Sequence, residues 1–255
     1  MQVRRSLRAA GRLLRAVLHG LHGLAIVLLR FPGLDRDARR ERVRWWSAGM
    51  LRALGLELQV QGRFKPGAKM VVANHVSWLD IMVVHAVCPE ARFVAKAEVR
   101  NWPLLGRLVG AADTLYIERD RKRDALRVVH QCADALREGD TVAVFPEGTT
   151  GPGDELLPFH ANLLQAAIAV EAPVQPVALR YADRYRPVSA SALWVGETTL
   201  IDTLWLLAGG EGLVARLHVL PARGSAHADR RALSDTVRID ILGALADIDR
   251  EHRPS

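Results

Sequence analysis

Cysteine is nearly missing from this chain: Cys88 and Cys132 are the only two, and neither belongs to a C-x-x-C pair. That argues against a disulfide scaffold and a thiolate zinc site, and it suits a reducing interior. Aromatic residues are scarce, at 5% of 255 residues. No basic run is interleaved with Tyr or Phe as a base-stacking platform requires, so no nucleic acid is expected as a partner. Acidic residues are absent from the whole start of the chain, the first being Asp35. No G-x-S-x-G elbow occurs, which counts against an α/β-hydrolase. No internal repeat or low-complexity stretch is present either.

Basic charge is abundant. The formal net charge is +7 and the pI about 10.1, with Arg far outnumbering Lys. Such a balance suits an anionic partner, and with base stacking set aside it points to an anionic phospholipid surface. Arg4, Arg5, Arg8, Arg12 and Arg15 precede AVLHGLHGLAIVLL (16–29), a run free of formal charge that ends at Arg30. As a helix this run spans roughly 21 Å, short of the ~30 Å hydrocarbon core. Snorkelling by Arg15 and Arg30 would extend it to a marginal span, while two histidines and two glycines inside it weaken that reading. A signal peptide is matched in outline, but no small-x-small cleavage site follows. An interfacial or re-entrant anchor is the reading favoured here, with a true span or a core helix as alternatives.

From Asp35 onward the pattern is α/β. RDARRERVRWWSAGMLRALG reads as an amphipathic helix ending at Gly55, and LELQVQGRF as a strand. MVVANH is a short buried strand, and WLDIMVVHAVC a helix, which sets His75 at their junction. ARFVAKAE, DTLYIER, TVAVFPEG, VQPVALRYA and GLVARLHVL read as further strands. Helices fall between them, one interrupted near Pro103, and SDTVRIDILGALADIDR forms a last one. TTLIDTLWLL (198–207) is an ordinary core helix or a second lipid-facing patch. The alternation predicts a mainly parallel sheet flanked by helices. The expected division is an N-terminal basic and apolar helical segment, 1–45, and a body, 46–255.

Three polar clusters fall at C-terminal strand ends, where open α/β sheets put their ligands. His75 and Asp80 stand five positions apart, with Asn74, Ser77 and Trp78 around them and apolar runs on both sides. On a helix beginning near His75, position i+5 lies about 140° round from i. A carboxylate there still reaches the imidazole if His75 occupies a non-helical cap position. It would then fix the tautomer and leave the other ring nitrogen to accept a proton from a hydroxyl. The plainer alternative is that Asp80 or Ser77 caps the helix and His75 is a satisfied junction residue. In YIERDRKR, Arg119 ends a strand and can grip an anion, whereas Arg121, Lys122 and Arg123 read as solvated charge. FPEGTT (145–150) offers backbone N–H groups to an anion, with Glu147 either at work there or merely exposed. No second cluster of His or Cys completes a metal shell, so no metal is expected.

The ordered set NHVSWLD (74–80), YIER (116–119), FPEGTT (145–150) and VQPVAL (174–179) resembles the four blocks of the glycerolipid acyltransferase family, over roughly residues 45–220. That family includes the bacterial 1-acylglycerol-3-phosphate acyltransferases, whose membrane anchor the N-terminus also resembles. The resemblance implies His75 as general base and Asp80 as its orienting partner. It implies Arg119, Glu147, Gly148 and Thr149 as the acceptor-binding set. Asn74, Ser77 and Pro176 would support them. It implies transfer of a fatty acyl group from acyl-CoA or acyl carrier protein, as co-substrate rather than cofactor, to a lysophospholipid, giving phosphatidic acid where that acceptor is 1-acylglycerol-3-phosphate. It further implies a place at the inner membrane with the catalytic body on the cytoplasmic face. One departure bears on the acceptor. Phosphatidate-forming members commonly read Glu-Gly-Thr-Arg-Ser, whereas Thr150 stands here in place of the arginine, a form found in acyltransferases for other lysolipids such as lyso-ornithine lipid. A thioesterase or lipid hydrolase would instead release free fatty acid, and a non-catalytic membrane-binding module would bind lipid without turnover.

Overall fold

The computed structural model describes residues 2–117, 122–194, 196 and 198–252. Strand β2 (Lys69–Ala73) organises it through its period of two. Met70 and Val72 point into one apolar cluster, Val71 and Ala73 into another on the opposite face. The first cluster is completed by α5 (Lys122–Arg137), α6 (Leu164–Ala169) and α8 (Arg230–Glu251), the second by α2 (Arg36–Leu54), α3 (Leu79–Val87) and α7 (Leu200–Gly209). Cys132 lies in one cluster and Cys88 in the other.

The other strands are β1 (Leu56–Gln61), β3 (Ala91–Lys96), β4 (Leu115–Ile117), β5 (Thr141–Val144), β6 (Val174–Ala182) and β7 (Leu213–Val219). Among the described residues the sheet has seven strands in the order β1-β7-β6-β2-β5-β3-β4. Every neighbouring pair is parallel except β6 and β7. The mainly parallel sheet read from the alternation is therefore present, with β7 and β1 reversed at one edge. Strand β2 sits in the middle, and its C-terminal end opens at the centre of the sheet.

Helix α2 ends where its sequence says it should. Gly55 takes φ 87°, a left-handed C-cap, and the Arg12 guanidinium packs where a side chain would lie. The sequence-drawn boundary at 45/46 falls inside this helix, whose buried residues Ser47, Met50, Leu51 and Leu54 all follow it. The helix predicted to break near Pro103 becomes a 3-10 turn (Ala97–Asn101) and α4 (Leu105–Gly110).

Helix α1 (Gln2–Leu29) runs unbroken through both the arginines and the apolar run. Over Val3–Leu29 it is long and apolar enough to cross a membrane. Its arginines do not all face solvent. Arg8 donates to Gly209 O (3.1 Å) and pairs with Glu211, while Arg12 donates to Ala208 O (3.2 Å) and Gly210 O (2.6 Å). These cations meet the exposed carbonyls at the C-terminus of α7, the negative end of its dipole. The outer face of α1 carries Val3, Leu7, Leu14, Leu18, Leu21 and Leu28, all exposed and at helical spacing. Helix α7 is divided the same way: Thr203, Leu207 and Ala208 are buried, Ile201 and Trp205 exposed. The buried face fits the core-helix reading of its sequence, and the other face leaves Ile201 and Trp205 exposed.

One buried group makes stability depend on pH. His85 on α3 donates from Nε2 to Ala91 O (2.9 Å) and meets the Phe93 ring edge-on. Burial brings its imidazole down from 6.5 to about 4, against the opposing pull of the Ala91 carbonyl. The folded chain therefore resists a proton that the unfolded chain takes up, and this contribution to stability is present above 6.5 and lost as pH falls towards 4. Stability is expected to drop by up to about 3 kcal/mol across that window. Urea unfolding midpoints at stepped pH check this, and His85→Phe should flatten that part of the profile.

Candidate active site

Strand β2 leaves the sheet at Asn74, whose side chain continues the strand's pairing. Its amide donates to Leu179 O (2.9 Å) and accepts from Leu179 N (2.7 Å), taking both backbone groups of a residue on β6. The chain then turns through His75, Val76 and Ser77 before α3 begins at Leu79. His75 thus lies outside the helix, as a meeting with position i+5 requires.

The turn is held from every side. The His75 N–H donates to Glu147 Oε1 (2.7 Å) and its carbonyl accepts from Gly151 N (2.7 Å). Val76 N donates to Asp80 Oδ2 (2.8 Å), and Val76 O accepts from Trp194 N (3.0 Å). Each backbone polar group of these two residues has a partner, so the His75 ring is presented from a fixed base.

Asp80 is fully buried, and four donors replace its lost water. Oδ2 accepts from His75 Nδ1 (2.8 Å), Val76 N and Ser77 N (2.9 Å), and Oδ1 accepts from Tyr181 O–H (2.7 Å). Capping of the turn and pairing with the imidazole, alternatives in the sequence, are done by one carboxylate. With a proton on Nδ1 facing Oδ2, Nε2 carries the lone pair. It has no hydrogen bond to the described residues, and the His75 side chain is 19% exposed. Phe145 stacks on the ring at 4.0 Å and 10°, backed by Phe93 at 5.4 Å from Phe145.

Glu147 is buried, with both oxygens on backbone amides: Oε1 on His75 N and Oε2 on Leu157 N (2.9 Å). Burial pushes its carboxyl above the ordinary range, against the downward pull of those N–H donors. From this position it braces the His75 turn against the loop that follows β5. Gly148 takes φ 71°, a left-handed conformation that L side chains rarely adopt, with the His160 ring against its Cα. Gly148 and Thr149 are exposed. The Thr150 hydroxyl donates to Trp194 O. Ser77 is buried beside the dyad, and Pro176 is buried in β6 opposite Val72. Arg119 lies outside the described residues. Among the described residues no group of three or more His, Cys, Asp or Glu is placed to hold a metal ion.

Tyr181 and the stacked pair Phe145 and Phe93 were not singled out in the sequence. A signal for Tyr181 existed: in VQPVALRYA its hydroxyl is a polar group on a strand otherwise suited to burial, and such a group needs a partner.

The acyltransferase family model matches residues 57–180, which hold the dyad, Glu147 and the Asn74 contact to β6. The lyso-ornithine lipid O-acyltransferase of Pseudomonas aeruginosa is 38% identical over 249 residues, 95% of each chain. The 1-acyl-sn-glycerol-3-phosphate acyltransferase of Neisseria meningitidis is 36% identical over 214 residues, 83% of each chain. In fold, the chain resembles the crystal structure of the 1-acyl-sn-glycerophosphate acyltransferase PlsC from Thermotoga maritima. The TM-score is 0.75 at 19% identity, covering 100% of this chain and 99% of that one.

Proposed function

The chain belongs to the acyltransferase family and is an acyltransferase of the lysolipid type; on that premise we propose that it moves a fatty acyl group from acyl-CoA or acyl carrier protein to 1-acylglycerol-3-phosphate, forming phosphatidic acid. The observation that carries the mechanism is the divided imidazole, with Nδ1 on a buried carboxylate and Nε2 open. Nε2 takes the proton from the acceptor hydroxyl as its oxygen attacks the thioester carbon. The tetrahedral oxyanion then collapses, the C–S bond breaks, and the departing thiolate takes the proton back from Nε2. The products are an ester and a thiol, and no acyl-enzyme forms. Asp80 holds the tautomer and steadies the imidazolium. Arg119 is assigned to the acceptor phosphate, with Gly148 and Thr149 beside it, and Glu147 to holding the turn.

The apolar outer faces of α1 and α7 support attachment in the plane of the bilayer. Helix α1 also touches α4, near which Trp102, Leu104 and Leu105 are exposed. The division into an anchoring segment 1–45 and a catalytic body 46–255 is part of this proposal, as is a place at the cytoplasmic face of the inner membrane.

A second reading has its own support. Thr150 stands where phosphatidate-forming members commonly carry arginine, and its hydroxyl is engaged by Trp194 O. A relative matching over 95% of the chain is named for lyso-ornithine lipid. The test supplies labelled acyl-CoA or acyl carrier protein with lysophosphatidate or lyso-ornithine lipid in mixed micelles. Labelled phosphatidate is the expected product. Acylation of lyso-ornithine lipid alone transfers the assignment to that acceptor. Release of labelled fatty acid with neither acceptor consumed overturns both.

A further inference from the structure

Asp80 receives one donor that does not come from its own turn. Tyr181 is buried on β6, 101 positions away, and its hydroxyl reaches Oδ1 at 2.7 Å. Its placement is fixed by the backbone around it. Leu179, two residues earlier on the same face of β6, is clamped by the Asn74 amide. Tyr181 itself pairs with Ala215 on β7, and its carbonyl accepts from Ser189 N (2.8 Å). The strand that receives the end of β2 therefore also aims the phenol at the carboxylate.

We propose that Tyr181 is a positioning residue that sets the basicity of the His75–Asp80 pair. By donating to Oδ1 it disperses the carboxylate charge and keeps Oδ2 turned to Nδ1. This deepens the reading of His75 as general base and rests on it.

The physical argument concerns competition for one anion. A carboxylate in a dry site pulls on the imidazolium proton in proportion to how little else stabilises its charge. Oδ2 already accepts from two backbone amides, and Tyr181 adds a fourth donor on the other oxygen. With all four in place Asp80 favours the imidazolium enough to orient the ring, yet leaves Nε2 able to return its proton to the leaving thiolate. Among the described residues, the other ionisable group facing the pair is Glu147, from the loop after β5, which meets the His75 backbone. Burial, and then the Asp80 charge, push the Tyr181 phenol well above its ordinary range, so it remains a donor at any pH the enzyme meets.

Tyr181→Phe removes the hydroxyl and keeps the ring. Without it the carboxylate pulls harder on the imidazolium, and His75 holds its proton to higher pH. The acid limb of kcat/KM is expected to move up by roughly half to one pH unit, and kcat to fall about tenfold with the KM values little changed. The His75 ring-proton NMR shift, followed against pH, should titrate higher by the same amount. In an Asp80→Asn background the added Tyr181→Phe change should leave the His75 titration where it was. If Tyr181→Phe lowers the thermal midpoint or the rate while limb and titration stay in place, the residue only fills its site and the proposal is overturned. A His75→Ala enzyme run alongside separates the two claims. Parental activity in that variant would refute the base itself, whereas an inactive His75→Ala with an unmoved Tyr181→Phe would refute the tuning alone.

Discussion

His75→Ala is expected to lower kcat by roughly 10³- to 10⁴-fold with little change in KM for either substrate. No other described group on the turn can take the acceptor proton, because Asp80 is fully buried behind the imidazole. The fold should survive the change. Asp80 keeps Val76 N, Ser77 N and Tyr181 O–H as donors, and the turn keeps its backbone ties to Glu147, Gly151 and Trp194. Steady-state rates beside a thermal melt check both halves. Because the substitution leaves a space against Phe145, added imidazole should restore part of the rate. Parental turnover in this variant would remove the dyad from the mechanism.

Glu147→Ala is expected to reduce kcat about 100-fold without touching any group that exchanges protons. The variant leaves His75 N and Leu157 N without acceptors, at a cost of about 1–3 kcal/mol each where water cannot reach them. Glu147→Gln separates geometry from stability. A carboxamide has one oxygen for two N–H donors, so one brace fails and the rate should fall by about tenfold or more. Its stability should fall less than that of the Ala variant, because one N–H keeps its acceptor and burial already disfavours the charged carboxylate. The raised carboxyl means that the folded chain binds this proton more tightly than the unfolded chain. Its ionisation therefore costs stability as pH climbs from the ordinary carboxylate range through the raised value. Activity and stability should move in opposite directions across that range in the parent, and the Gln variant should lose this dependence. Equal rates in parent and Gln variant would show that the brace does not position His75.

Much of the fold was legible because burial leaves a period. The strands within MVVANH and TVAVFPEG, which end earlier at Ala73 and Val144, and the helix stop at Gly55 follow from local pattern and from one left-handed residue. Strand order was not legible: that β7 lies between β1 and β6, reversed against β6, depends on long-range pairing that no local pattern encodes. The site divides along the same line. His75 and Asp80 are close enough in sequence for spacing to suggest a meeting. Tyr181 reaches Asp80 across 101 positions, and Glu147 reaches the His75 backbone across 72. For the same reason Glu147 could be placed near the acceptor by resemblance, but its two backbone partners could not be foreseen.

The inward turn of Arg8 and Arg12 changes what the formal charge of +7 means at a bilayer. Ionic strength weakens attachment only through charges that mobile ions can reach. These two guanidiniums are already matched by the carbonyls ending α7 and by Glu211, while the exposed surface of α1 carries leucine and valine beside Arg4, Arg5 and Arg15. In the proposed attachment, brine screens only Arg4, Arg5 and Arg15 among the α1 arginines, and the apolar contact yields to whatever dissolves acyl chains. On the proposed attachment, full release is expected to need detergent, with salt alone freeing only the part that the exposed arginines hold.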